Sequence, residues 1–152
     1  MEADRLKGMT IVALDDAERL GTIGDLLFEL NPLRVAAIEA ASGESRFVVP
    51  FNKVRALGAD AVTVDDSGVA RTTSIAMAAS QHRLSTLRDL KVVDEQGTFL
   101  GKVDRLEIDD STGRVTEIEA QRGGIAGLGS EREIIDAESI RGVGTEVLTV
   151  RR

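Results

Sequence analysis

The chain contains one stretch of sequence twice. Gly21 and Gly101 lie 80 residues apart, and residues 20–40 match residues 100–120 in register and without a gap. Further matches downstream require six extra residues in one loop of the second copy, because the shift between equivalent positions grows from 80 to 86. A repeat of this length predicts two copies of one structural unit.

The repeat divides the chain into a first unit (1–66), a linker (67–84) and a second unit (85–152). Units of about 65 residues bury only about 60 % of their unfolded surface, so we expect two cores that are each marginal and two units that touch. The linker is rich in Ala, Ser and Thr. It fits a short helix capped by Ser74, or a flexible tether.

Short segments rich in aliphatic and β-branched residues follow one another in each unit, separated by turn-forming residues. This pattern predicts an all-β fold, in which five or six short strands close into a small barrel. Val35 and Ile38 are an odd number of residues apart, as are their equivalents Val115 and Ile118. Their side chains therefore cannot share one face of a regular strand. A β-bulge, or burial of both faces, would accommodate them.

Composition narrows the classes of function. The chain has no cysteine, which excludes disulfides, thiolate metal sites and a catalytic cysteine. Acidic residues outnumber basic ones by 12 to 7 in the first unit and by 14 to 10 in the second, so we expect no nucleic-acid partner. No apolar run is long enough for a transmembrane segment and the N-terminus does not resemble a leader, so we expect a soluble, cytoplasmic protein.

Several motifs resemble the PRC-barrel domain. Each unit has a Leu-Gly-x-Val/Ile strand start, an acidic or Asn-Pro turn, and Arg-Val-x-x-Ile-Glu. The first unit then has Val-Val-Pro-Phe-Asn-Lys-Val at 48–54, and the second has a glycine-rich loop at 123–129. The first unit lacks that loop, and the second has Asp136-Ala137 in place of the Pro-Phe.

The resemblance implies two small β-barrels in tandem, similar to the cytoplasmic domain of the reaction-centre H subunit and to the C-terminal domain of a ribosome maturation factor. It implies a role in binding another protein and provides no shared catalytic residue. Peripheral association with a membrane complex is compatible with it.

Three groups of residues invite a chemical interpretation. Asp109 and Asp110, with Glu107 nearby, could supply oxygen ligands to a hard cation such as Ca²⁺ or Mg²⁺, but the spacing of a calcium loop is absent. The pattern favours a solvated hairpin turn, in which Asp110 accepts a hydrogen bond from the backbone ahead of Gly113. Glu39 and Glu119 recur at equivalent positions and would form ion pairs with Arg34, Arg114 or another base. His82 has no acid in its segment, so we expect an exposed linker histidine.

The glycine-rich loop is the predicted contact point of the second unit. Glu131 and Glu133 follow it, which disfavours a phosphate site. A long hairpin loop is favoured instead, in which Ile125 and Leu128, beside Gly124, are either tucked under the loop or offered to a partner.

The sequence therefore predicts a non-enzymatic adaptor or assembly module, without catalytic residues, cofactor or metal, that binds another protein or itself. Two alternatives stay open: a metal-binding or small-ligand-binding protein or enzyme that uses the acidic loop, and an accessory protein of ribosome or RNA maturation.

Overall fold

The computed structural model describes residues 1–71, 82–123 and 131–152. The first half contains β1 (Thr10–Ala13), β2 (Arg19–Glu29), β3 (Arg34–Ser42), β4 (Ser45–Pro50), β5 (Val54–Leu57) and β6 (Ala61–Val64). The second half contains β8 (Lys91–Asp94), β9 (Phe99–Ile108), β10 (Val115–Arg122), β11 (Glu131–Asp136), β12 (Ile140–Val143) and β13 (Val147–Val150). Short elements complete the described chain: β7 (His82–Arg83), the helix α1 (Leu84–Leu87), and the 3-10 turns η1 (Ala3–Leu6), η2 (Phe51–Lys53), η3 (Ser67–Arg71) and η4 (Ala137–Ser139).

The strands form two separate sheets of the same topology. The order is β4-β3-β2-β1-β6-β5 in the first and β11-β10-β9-β8-β13-β12 in the second. In each sheet the first and last strands of the unit run parallel, and the other pairs are antiparallel. The prediction of an all-β chain made of two tandem units is confirmed.

A β-bulge explains the change of parity that the sequence showed. In the first unit the register of β2 and β3 steps from Leu27↔Ala37 to Phe28↔Val35, which leaves Ala36 unpaired. In the second unit the step from Val115 to Glu117 leaves Thr116, the equivalent residue, unpaired. A bulge turns the following side chains to the other face, so Val35 and Ile38 both reach the core.

The six extra residues of the second copy lie in the β10–β11 connection. Ser42 pairs with Ser45 across a tight turn, whereas the equivalent Arg122 pairs with Glu131. The predicted contact residues Gly124, Ile125 and Leu128 are in this connection and lie outside the described residues. The linker helix predicted from Ser74 also falls outside them.

The two units exchange the segments that precede their first strands, which we call the leading segments (residues 1–6 and 82–87). The first leading segment pairs with β9 of the second unit, through a Glu2↔Glu107 bridge and a 2.8 Å hydrogen bond from Ile108 N–H to the Met1 carbonyl. The second pairs with β2 of the first unit, where His82 faces Phe28. His82 is therefore half-buried in a short strand, and its expected exposure in a linker was wrong.

The apolar core is continuous across both units. Ala3 and Leu6 of one leading segment and Leu84 and Leu87 of the other are buried, and they belong to the same cluster as the cores of the two sheets. The expectation of two separate cores was wrong, because the exchanged segments place apolar side chains between the sheets. Burial of this shared surface adds to the stability of units that would be marginal alone.

Candidate interaction surface between the two units

The units meet about a pseudo-two-fold axis. The Val35 N–H donates to the Gly113 carbonyl at 2.9 Å, and the Val115 N–H donates to the Leu33 carbonyl at 3.0 Å. Positions 33 and 113 are equivalent in the repeat, as are 35 and 115. The two hydrogen bonds are therefore one interaction made twice, as in the interface of a symmetric dimer.

On one side of the axis, Phe51 of η2 fills the contact between the units. A Cβ placed on Gly113 would lie 3.0–3.2 Å from three ring atoms of Phe51, so the ring rests directly on the glycine backbone. Gly113 also has φ = 75°, a conformation that side-chain-bearing residues rarely adopt. Glycine at this position thus serves both the β9–β10 turn and the approach of the ring. We call this contact the Phe51 seat.

On the other side, the residues that the structure describes leave the equivalent contact open. Ala137 stands in place of Phe51 and Leu33 in place of Gly113. Leu33 takes up part of the room that the ring occupies in the Phe51 seat, and a groove of about 950 Å³ remains. This junction groove is lined by the β2–β3 turn (residues 30–33), by residues 109, 112 and 114–117 of the second unit, and by residues 136–138 and 140–143.

Acidic groups dominate the rim of the junction groove. Asp109, Glu117, Asp136 and Glu138 line it, against two arginines. One of these, Arg141, is bound by Glu95 through a 2.9 Å ion pair. The groove therefore presents an excess of negative charge beside apolar walls.

Asp109 serves the β9–β10 turn. Its Oδ1 accepts hydrogen bonds from the Ser111 hydroxyl at 2.6 Å, from the Ser111 N–H at 2.8 Å and from the Thr112 N–H at 3.1 Å. These bonds, that of the Ser111 hydroxyl above all, lower the pKa of Asp109 and keep it ionised. Among the described residues no group of three or more His, Cys, Asp or Glu side chains is placed to hold a metal ion.

The outer faces of the two sheets differ. Leu27, Ala37 and Val48 are buried in a small second cluster on the first unit. Their equivalents in the second unit are Glu107, Glu117 and Ile134, and Ile134 is 67 % exposed. The leading segment 82–87 packs on β2 beside this cluster, where Arg83 pairs with Leu27.

Glu39 and Glu119 each bind an arginine, but the two arginines come from different elements. Arg83 of the leading segment donates to Glu39 at 2.6 Å and lies 3.6 Å from Asp25, whose Oδ2 accepts from the Ser85 hydroxyl at 2.8 Å. Arg132 of β11 donates to Glu119 at 2.5 Å. The bond to Glu39 raises the pKa of Arg83, and that to Glu119 raises the pKa of Arg132. The expected ion pairs thus form with other bases than Arg34 and Arg114.

Replacing Arg83 by methionine is expected to lower the free energy of unfolding by about 1–3 kcal/mol. The change would leave Asp25 and Glu39, whose side chains are 12 % and 21 % exposed, without their counter-charge. Arg132→Met is the control, since the side chain of Arg132 is 46 % exposed against 32 % for Arg83, and since its ion pair joins β10 and β11 of one sheet and holds no leading segment. Urea titration measures both. Equal losses would contradict the role of Arg83 in anchoring the leading segment.

Sequence reasoning placed the contact surface on the glycine-rich loop and did not find the junction groove. Of the residues that it weighed for chemistry or contact, Asp109 and Arg114 line the groove, as do Asp136 and Ala137, which it noted only as a departure from the Pro-Phe motif. The signal was present in the alignment of the repeat, which sets Phe51 against Ala137 and Gly113 against Leu33. Its meaning depended on how the two units dock.

Comparison with known proteins agrees with the fold. The sequence profile of the PRC-barrel domain matches the chain twice, over residues 1–70 and 80–151. No curated protein matches the chain. In the described part of the chain, no helix has the length and apolar character required to cross a bilayer. With both halves matched, and with two sheets of one topology, the chain belongs to the PRC-barrel family and carries two of its domains in tandem.

Proposed function

We propose that this protein is a non-enzymatic interaction or assembly module, which binds a protein partner in the junction groove. The observation that carries the proposal is the groove itself. A groove of about 950 Å³ lies where the two units meet, and it is lined by aliphatic and by polar side chains to a similar extent. Its walls come from both units, so only the docked pair presents it.

The use of the carboxylates supports a binding role over a catalytic one. Asp109 holds a turn, Glu39 neutralises Arg83 and Glu119 neutralises Arg132. The residues that line the groove offer a shaped and charged surface to a partner. A cytoplasmic location is part of the proposal, and the absence of cysteine suits a reducing compartment.

Site-specific crosslinking tests this function. A photo-reactive phenylalanine at Glu138, an exposed residue of the junction groove, is expected to form an adduct with one partner protein in native lysate. The same group at Glu44, on the exposed β3–β4 turn, is the matched control. Mass spectrometry identifies the adduct. A protein that crosslinks from neither position, or equally from both, would contradict binding in the groove.

A further inference from the structure

The Phe51 seat and the junction groove are equivalent contacts of the two units, so the first can be compared directly with the second. The same two elements, a 3-10 turn of one unit and a β–β turn of the other, meet on both sides of the pseudo-two-fold axis. On the filled side the residue from the 3-10 turn is Phe51, and its ring packs against the turn of the other unit. On the open side that residue is Ala137, and the room beside it is free for another group.

The walls of the open side suit an aromatic side chain. Leu33, Ile140 and Val143 line the groove; Leu33 is 8 % exposed, and the other two are half-buried. These three side chains are aliphatic, and they present a surface against which a planar ring packs well. The groove is also continuous with the established contact between the units, because Leu33 and Val115 belong to both.

The charge around the groove selects for a basic partner. Four carboxylates stand on its rim, and one of its two arginines is already paired with Glu95. The whole chain has a net charge of −7, so a basic segment would also be attracted from a distance. A phenyl ring flanked by lysine or arginine complements both the walls and the rim.

We propose that the junction groove binds an extended segment of a partner protein that carries an aromatic side chain beside basic residues. This inference rests on the proposed function and specifies the partner. The segment places its ring beside Leu33 and Ala137, in the room that Leu33 leaves free, and therefore not at the exact equivalent of the Phe51 ring position. Its basic side chains meet Glu138 and the neighbouring carboxylates.

A peptide titration tests the proposal. The probe is fluorescein-labelled Val-Pro-Phe-Asn-Lys-Val-Arg, which copies residues 49–55 of this chain, and fluorescence polarisation follows its binding to the full-length protein. Changing its Phe to Ala is expected to weaken binding about tenfold or more, because the apolar burial of the ring is lost. Changing its Lys and Arg to Glu is expected to weaken binding and to remove its dependence on salt.

Two protein variants locate the site. Ala137→Phe fills the groove from within and is expected to weaken peptide binding about tenfold, whereas Ala59→Phe, on an exposed turn outside the groove, leaves it unchanged. Glu138→Lys changes only an exposed rim charge, and it is expected to weaken binding severalfold even if Ala137→Phe fails to fold.

The outcomes separate the two proposals. If Glu138 crosslinks to a partner but the parent peptide and its Phe→Ala form bind equally, or neither binds, the aromatic segment is wrong and the groove remains a binding site. Self-association that Ala137→Phe abolishes would identify a second copy as the occupant and would also overturn the inference. If Glu138 forms no crosslink and the peptide does not bind, both the inference and the proposed function are overturned.

Discussion

Replacing Gly101 by alanine is expected to lower the free energy of unfolding by about 2–5 kcal/mol. A Cβ at this position would lie 2.6 Å from the carbonyl oxygen of Gln121 and 2.7 Å from its carbonyl carbon, on the adjacent strand β10. The backbone there has φ = 133°, which also disfavours a side chain. Because the obstacle is backbone, no rotamer change relieves it.

Gly24→Ala is the matched control for Gly101→Ala. Gly24 lies in β2, and a Cβ built on it meets nothing within 4 Å. Its alanine variant is expected to stay within about 0.5 kcal/mol of the parent. Urea denaturation followed by circular dichroism measures both variants. Similar midpoints for the two would contradict the inference that the close approach of β9 and β10 requires glycine at position 101.

Replacing Phe28 by alanine is expected to lower the free energy of unfolding by about 3–5 kcal/mol. Phe28 is fully buried, and it belongs to the cluster that joins the cores of both units. Its removal leaves a cavity at the place where the second leading segment pairs with β2. Since the core is shared, the second unit is expected to lose stability as well.

Hydrogen exchange resolved by peptide tests this coupling in the Phe28→Ala variant. Amides of β9 and β10, in the second unit, should exchange faster together with those of β2 and β3. Phe99→Ala, at a 40 % exposed position of β9, is the control and should change little. Faster exchange in the first unit alone would mean that the two units unfold independently.

The fold was largely predictable from the sequence, because strand signals and the repeat are local properties. The spacing of Val35 and Ile38 required a bulge or a two-sided strand, and the structure contains the bulge. The shift from 80 to 86 identified the connection between Arg122 and Glu131 as the longer one. Each of these inferences depended on residues that are neighbours in sequence or in one sheet.

The arrangement of the two units was not predictable in this way. Nothing near Met1 or His82 indicates that each leading segment pairs with the other unit, since pairing by backbone groups leaves little trace in side-chain identity. The junction groove depends on that arrangement, because Leu33 and Ala137 come from different units. The sequence favoured a hairpin turn held by Asp110, whereas in the structure it is the Oδ1 of Asp109 that accepts the hydrogen bonds of this turn.

The difference between the Phe51 seat and its open counterpart has a consequence for stoichiometry. Two identical chains joined about the same axis would have two like contacts, both filled or both open. In this chain the two copies differ in sequence, so Phe51 fills one contact while the described residues leave the other open. The molecule therefore lacks the two-fold symmetry of a homodimer. A partner bound in the junction groove would form a one-to-one complex in a single orientation.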